Sequence, residues 1–350
     1  MRLRGVNYDV GRVLDGMNWR PAFDPLEAHR ELEIIRDDLH CNAVRICGED
    51  IARLTRVAAD ALGLGLDVWL SPELWDHDMP ETLDYIAAAA RQAESVRAQW
   101  PGRVTLSVGS ELTLFMNGLL EGGTFRGRLA HPGVFDALRS GAHNEPLNAF
   151  LAQAAGSARQ AFHGEISYAS VTAERVDWSL FDVVGVDLYR EAANPHQFTY
   201  ALKQHRSYDM PLVITEFGCC TFRGAAGLGA RGWEIIDAST LPPRLNGDYV
   251  RDEGEQAGEV ADLIGTFARA GVDGTFVFTF VQPINPYADD PRYDLDMAAY
   301  SLVKSFGARL GDVAGLLPEI PWDTSRMGTT YPGMPWEPKE SFRAVAEAYR

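Results

Sequence analysis

The feature that most limits how this chain can fold is a regular alternation of short β-branched runs with longer segments of helical periodicity. Such runs are typical of buried parallel strands, and the segments between them are long enough for crossover helices. The predicted strands are residues 3–8, 43–47, 67–71, 104–108, 166–170, 183–188, 212–215 and 274–278. The predicted helices are residues 25–39, 51–62, 81–99, 146–162, 195–205, 253–270 and 340–349. Eight alternating units predict an α/β fold, a closed (β/α)8 TIM barrel.

Size and charge narrow the possible classes of function. The chain has 350 residues, and no linker divides it, so we expect a single domain over residues 1–350. Its formal net charge of −17 argues against nucleic acid or an anionic membrane as partner. No segment reads as a signal peptide or as a membrane span of roughly 18 apolar residues, so we expect a cytoplasmic protein. The oligomeric state is left open.

Metal and cofactor chemistry have little support in the sequence. The four cysteines include the adjacent pair Cys219 and Cys220 and lack the paired spacing of a zinc site, so we expect reduced thiols. The run 76–78, Asp-His-Asp, is interpreted as a solvated loop. A GxGxxG string at 227–232 lies far from a first strand-to-helix turn, so it predicts a mobile lid carrying Trp233 and no bound dinucleotide. We expect no metal and no cofactor.

Two glutamates stand where a barrel presents catalytic groups. Glu216 ends the apolar run 212–218, and Glu111 ends the run 104–111, about a hundred residues earlier. The longest predicted loops, 112–145, 217–250 and 281–296, follow the fourth, seventh and eighth strands, at the end of the barrel where active sites lie. Two carboxylates on facing strand ends favour the cleavage of glycosidic bonds.

These runs resemble the strands of a large clan of retaining glycoside hydrolases with a (β/α)8 barrel. The segment Ile-Thr-Glu-Phe-Gly at 214–218 is similar to that clan's nucleophile strand, and Gly-Ser-Glu at 109–111 is similar to its acid/base strand. The resemblance implies that Glu216 is the nucleophile and Glu111 the acid/base. Ser110 departs from the pattern, because clan members usually have an asparagine there that binds the 2-hydroxyl of the sugar.

The resemblance also implies roles for further residues. Arg45 is similar to the clan arginine that keeps the nucleophile ionised, and Tyr189 corresponds to a tyrosine that donates to it. The last strand has phenylalanines where many members have a tryptophan under the sugar, so Phe278 or Phe280 is expected to replace it. Glu73, Trp75, Trp233 and Phe280 complete the set of candidate substrate contacts with Arg45, Tyr189 and Ser110.

The leading hypothesis is an intracellular retaining glycosidase that cleaves a small glycoside or oligosaccharide by double displacement. The pKa values of the two carboxyls must then be driven apart, and Arg45 and Tyr189 favour the charged form of Glu216. A transglycosidase using the same residues is one alternative. A non-catalytic carbohydrate-binding or defence-associated barrel and a metal-dependent hydrolase are the others. The sugar, its anomeric configuration and the aglycone are not specified by these patterns.

Overall fold

A computed structural model describes residues 1–193, 195–306 and 327–350 of the chain. Eight parallel strands form a closed barrel in sequence order, and the last strand pairs with the first. The strands are β1 (Leu3–Asp9), β2 (Ala43–Gly48), β3 (Asp67–Pro72), β4 (Val104–Ser110), β5 (Glu165–Val171), β6 (Val183–Asp187), β7 (Leu212–Phe217) and β8 (Gly274–Val277). The predicted (β/α)8 barrel is confirmed, with each predicted strand in place.

Helices surround the barrel on its outer side. They are α1 (Pro25–Asp37), α2 (Ile51–Gly63), α3 (Met79–Arg97), α4 (Asn144–Ala161), α5 (Pro195–Arg206), α6 (Glu253–Ala270) and α7 (Glu340–Ala348). The connection from β5 to β6 contains only the short 3-10 helix Trp178–Leu180. Helix α3 begins two residues earlier than predicted because Asp78 caps it: the Asp78 carboxylate accepts from the Glu81 backbone N–H at 3.0 Å, and the Glu81 side chain accepts from Asp78 N–H at 3.4 Å.

Two apolar layers hold the barrel together. Inside it, at the end where the strands begin, Trp69 and Phe276 pack edge to face with ring centroids 5.8 Å apart. Gly5 makes room for the Phe276 ring, because a Cβ at Gly5 would lie 2.4 Å from it. The larger cluster fills the space between the strands and the helices. No helix in the described ranges is both long and apolar enough to cross a membrane.

The loops at the carboxyl ends of the strands are folded against one another. The loop after β4 contains the short helices Leu112–Phe115, Phe125–Ala130 and Val134–Ser140. Within it, the fully buried Arg128 donates to Leu114 O at 2.6 Å and forms an ion pair with Asp76 of the loop after β3. The 3-10 helix Gly229–Ile235 lies in the loop after β7. These contacts fix the walls around the face where both glutamates emerge.

Candidate active site

Glu216 lies near the end of β7 and is held from one side by two arginines. Its Oε1 accepts from Arg45 Nη1 at 2.6 Å and from Arg12 Nη2 at 3.0 Å. Its Oε2 accepts from the Tyr189 hydroxyl at the longer distance of 3.5 Å. The Glu216 side chain is 13% exposed, whereas Arg12 and Arg45 are buried. The two arginines balance the charge of the Glu216 carboxylate, and the carboxylate stays partly exposed at the barrel mouth.

Arg45 projects from β2 and contacts several neighbouring strands. Its Nη1 also donates to Asn7 Oδ1 at 2.8 Å, and Nη2 donates to Ser71 Oγ at 3.1 Å. Asn7 in turn donates from Nδ2 to the backbone oxygen of Thr215 at 2.9 Å, directly before Glu216. Because its partners lie on β1, at the end of β3 and on β7, Arg45 has little freedom to move away from Glu216.

Glu73 was predicted to contact substrate, and the structure places it between the two arginines. Its carboxylate accepts from Arg12 Nε at 2.5 Å and from Arg45 Nη2 at 3.3 Å, and its side chain is fully buried. Burial favours the neutral acid, but the charges of Arg12 and Arg45 outweigh burial and lower the pKa of Glu73. Glu73 is therefore a counter-ion that balances the second positive charge beside Glu216.

Ser110 is engaged inside the same network. Its Oγ accepts from Arg45 Nη2 at 3.2 Å and donates to Asp187 Oδ2 at 3.2 Å. Asp187, at the end of β6, also accepts from Thr215 Oγ1 at 2.6 Å. Burial, together with the charge of Glu216, raises the pKa of Asp187 to about 7. The serine thus connects the arginine side of the site to a carboxyl that holds its proton in mildly acidic solution.

Glu111 follows β4 in a left-handed backbone conformation, with φ 46° and ψ 42°. Its N–H donates to Ala169 O on β5 at 2.8 Å, which fixes the direction in which the chain leaves the strand. Burial and the charges of Asp187 and Glu216 raise the pKa of Glu111 well above its usual range. Two glutamates at the same face are therefore in different electrostatic settings: Glu216 is paired with arginines, and Glu111 favours its neutral form.

A buried carboxyl supports the backbone just after Glu111. Glu174 accepts from Thr113 N–H at 3.0 Å and from the Tyr168 hydroxyl at 2.9 Å. The same hydroxyl accepts from Leu112 N–H at 2.7 Å. These bonds hold the first residues after Glu111 in place. No sequence motif marks Tyr168 or Glu174, because their role depends on contacts between β5 and the loop after β4.

We expect the stability of the protein to fall as the pH rises from about 4 to 7, in part because of Glu174. Burial raises the pKa of Glu174 to about 7, against the hydrogen bonds from Thr113 and Tyr168. In this interval the folded protein keeps a proton that the unfolded chain has released, since the unfolded pKa is about 4.3. At about 1.4 kcal/mol per unit, the loss amounts to roughly 3 kcal/mol.

Urea unfolding between pH 4 and 8 checks this expectation. Glu174→Gln removes the titrating proton and should make the decrease of unfolding free energy with pH shallower than in the wild type. Glu145→Gln, at an exposed position in the first turn of α4, is the matched control and should leave the slope unchanged. Parallel pH dependences for wild type and Glu174→Gln would contradict the assignment.

Aromatic side chains from four loops line one side of the mouth. Trp75 and Phe115 stack with centroids 4.2 Å apart, and Phe115 stacks on Phe125 at 4.7 Å. The ring centroids of Trp233 and Phe125 lie 6.0 Å apart. Trp19 packs edge to face on Trp75 with centroids 5.8 Å apart. Trp75 and Trp233, both predicted as substrate contacts, thus belong to one continuous wall. The GxGxxG segment that precedes Trp233 is folded into short 3-10 helices.

The two phenylalanines of the last strand region lie in different places. Phe278 lies over the Arg12 guanidinium, with 5.2 Å between the ring centroid and the guanidinium carbon. Phe280 is fully buried, and its ring centroid lies 6.3 Å from that of Tyr8 and 5.3 Å from that of Trp336. A ring enclosed by protein cannot stack on a sugar, so the structure favours Phe278 over Phe280 as the ring next to the site.

The residues that the sequence analysis considered for a metal site have other partners in the structure. The run 76–78 forms the ion pair of Asp76 with Arg128, a contact of His77 Nδ1 with Glu81 at 3.1 Å, and the cap of α3 by Asp78. Across the described part of the chain, no group of three or more histidine, cysteine or acidic residues is arranged to hold a metal ion. The site described above consists of carboxyl, guanidinium, hydroxyl and aromatic groups.

Among the comparisons with known proteins, the one with solved structures supports the fold. No family model matches the sequence. No curated protein matches it either. Among solved structures, the chain is similar to a GH113 β-1,4-mannanase in a complex, at a TM-score of 0.60 and 14% identity, covering 99% of this chain and 98% of the other.

Two further structures extend the similarity. One is the GH113 β-mannanase AaManA from Alicyclobacillus acidocaldarius, at a TM-score of 0.55 and 14% identity over 99% of this chain and 96% of the other. The other is PbGH5A, a family 5 glycoside hydrolase from Prevotella bryantii B14, at 0.53 and 12% identity over 100% and 97%. At such low identity, the chain shares the barrel of these glycoside hydrolases across its whole length, and its chemistry must be argued from its own residues.

Proposed function

We propose that the protein is a retaining glycosidase in which Glu216 is the nucleophile and Glu111 the acid/base. The observation that supports this most directly is the contrast between the two carboxyls at the ends of β7 and β4. Glu216 is hydrogen-bonded to two arginines, whereas the pKa of Glu111 is raised by burial, Asp187 and Glu216. Retaining hydrolysis needs one ionised and one protonated carboxyl on the same site.

The proposed reaction proceeds in two displacements. A lone pair of the Glu216 carboxylate attacks the anomeric carbon, the bond from that carbon to the aglycone oxygen breaks, and Glu111 gives its proton to that oxygen. Glu111, now ionised, takes a proton from water, whose oxygen attacks the same carbon. The bond to Glu216 then breaks, and the electron pair returns to the carboxylate. Two inversions leave the anomeric configuration of the product equal to that of the substrate.

We also propose a small glycoside as substrate and a reducing compartment as location. The site is walled by the loops after β3, β4 and β7, which Arg128 and the rings from Trp75 to Trp233 hold together. Such walls favour an end sugar over the middle of a polymer. All four cysteines are free, as is usual in the cytoplasm. Residues 1–350 are then one catalytic domain.

The test is hydrolysis of a panel of aryl α- and β-glycosides, both pyranosides and furanosides, followed by proton NMR of the first sugar anomer released. We expect turnover of one or two sugars with retained configuration. An inverted product would rule out the double displacement. Transfer of the sugar to added alcohols in place of water would identify a transglycosidase, and silence across the panel would favour a non-catalytic barrel.

A further inference from the structure

Arg12 is a buried arginine in the loop after β1 that the sequence patterns did not single out. Its side chain is 2% exposed, and its Nε and Nη2 donate to Glu73 and Glu216. Its guanidinium carbon lies 5.8, 5.6 and 5.2 Å from the ring centroids of Trp19, Trp75 and Phe278. Rings on several sides and three carboxylates, the third being Asp9 with its Oδ2 3.7 Å from Nη1, fix the guanidinium plane, so Arg12 cannot swing toward solvent.

The two oxygens of Glu216 have unequal surroundings, and Arg12 adds to the difference that Arg45 makes. Oε1 accepts two charge-assisted hydrogen bonds, from Arg45 at 2.6 Å and from Arg12 at 3.0 Å. Oε2 has the Tyr189 hydroxyl at 3.5 Å, beyond the usual length of a strong hydrogen bond. The less engaged oxygen is the better attacking atom, because fewer hydrogen bonds must weaken as its lone pair is used.

From this asymmetry we infer that Arg12 is a second positioning arginine for the proposed reaction: with Arg45 it binds Oε1, directs attack through Oε2, and promotes release of Glu216 from the sugar. The inference rests on the proposed glycosidase function. When Oε2 bonds to the anomeric carbon, Oε1 becomes an ester carbonyl and loses most of its negative charge. Hydrogen bonds from two guanidinium groups are stronger to the carboxylate than to that carbonyl.

The consequence differs between the two displacements. Arg12 stabilises the free carboxylate, so it gives no advantage to the first step, in which the carboxylate is consumed. It favours the second step, in which water displaces Glu216 and the C1–Oε2 electron pair returns to the carboxylate. Removing Arg12 should therefore slow breakdown of the glycosyl-enzyme while leaving its formation largely intact, which a general loss of packing would not do.

The experiment compares Arg12→Gln with the wild type on a 2,4-dinitrophenyl glycoside of the sugar that the wild type hydrolyses. With this leaving group the second step limits kcat, whereas kcat/KM reports the first step. We expect kcat to fall about 10- to 100-fold, as for the loss of a hydrogen bond between charged groups, and KM to fall in parallel. Intact-protein mass spectra during turnover should show more of the glycosyl adduct than in the wild type.

Arg20→Gln is the matched control for a buried arginine. Arg20 lies in the same loop, and its Nη2 is 3.2 Å from a carboxylate oxygen of Glu27 and 2.7 Å from one of Glu31. Its guanidinium carbon lies 5.1 Å from the centroid of the Tyr8 ring. It donates to the backbone oxygen of Asp9 and to those two glutamates, none of which are groups of the proposed reaction. Its replacement should lower stability without separating kcat from kcat/KM or accumulating adduct.

The outcomes distinguish the inference from the function on which it rests. Equal falls in kcat and kcat/KM for Arg12→Gln, with no extra adduct, would overturn the role of Arg12 and leave the glycosidase intact. If Arg12→Gln does not fold, Arg12→Lys decides the matter: its single ammonium cannot serve Glu73 and Glu216 in the same fork, so kcat should still fall several-fold, and an unchanged kcat would overturn the inference. A wild type without turnover or adduct would overturn both.

Discussion

Replacing Glu216 by glutamine is expected to lower kcat on aryl glycosides by about 10⁴-fold or more. The amide oxygen can still accept from Arg45 and Arg12, so the site should keep its shape while losing the proposed nucleophile. The measurement is steady-state hydrolysis of the best aryl glycoside, with unfolding temperatures recorded in parallel. Glu347→Gln, at an exposed position on α7, is the control and should behave as the wild type. Activity within tenfold of the wild type would remove Glu216 as nucleophile.

Replacing Glu216 by glycine tests its proposed role in a second, independent way. In Glu216→Gly, added azide should occupy the vacated space and attack the anomeric carbon in a single displacement. The product would be a glycosyl azide of inverted configuration, whereas the reaction proposed for the wild type retains configuration. Recovery of an inverted azide identifies the face from which Glu216 acts. A retained azide would mean that another group of the protein still attacks first.

The fold was predictable because buried parallel strands have a strong sequence signal. Strands with helices on one side and packed side chains on the other are apolar along most of their length, so all eight were visible as β-branched runs. The same runs ended in Glu111 and Glu216, since parallel strands deliver their last residues to a single face. Boundaries were less accurate, and the start of α3 depended on a capping box at Asp78 that apolar periodicity does not reveal.

Other parts of the site depend on contacts that no local pattern describes. Arg12 follows β1 by three residues, and its partners Glu73 and Glu216 are 61 and 204 residues away. Its position is set when the barrel closes and the loop after β1 meets the ends of β3 and β7. A buried arginine also has the same sequence appearance as an exposed one, so its burial was not expected.

The different positions of Phe278, which lies next to the site, and Phe280, which is fully buried, have a similar explanation. Alternation along a strand would place residues 278 and 280 on the same face. Strand β8, however, ends at Val277, and the register with β1 then changes: continued pairing would place Phe278 opposite Asn7, but Phe280 N–H donates to Asn7 O at 2.9 Å. Beyond the end of the ladder, the period of two no longer predicts which side chain faces the barrel mouth.

Removal of Glu111, the proposed acid/base, should affect the two displacements differently, according to the leaving group. For Glu111→Ala we expect kcat/KM to fall about 10²- to 10⁴-fold with a poor leaving group, which needs the proton, and far less with 2,4-dinitrophenolate, which does not. The second step loses its base with either substrate. Added azide, which needs no base, should restore kcat on the dinitrophenyl glycoside and give a glycosyl azide of retained configuration.

The pH dependence of the same variant tests the electrostatic account of Glu111. Burial, Asp187 and Glu216 raise the pKa of Glu111, so in the proposed reaction the wild type should keep the acid's proton to a higher pH than an ordinary glutamate would, and lose kcat/KM above that pH. Glu111→Ala should lose this alkaline limb, whereas Glu121→Gln, an exposed change in the loop after β4, should retain it. An alkaline limb that persists in Glu111→Ala, or a failure of azide to restore turnover, would assign the proton transfer to another group. Asp187 is then the candidate, because it accepts from Ser110 and because burial and the charge of Glu216 raise its pKa to about 7.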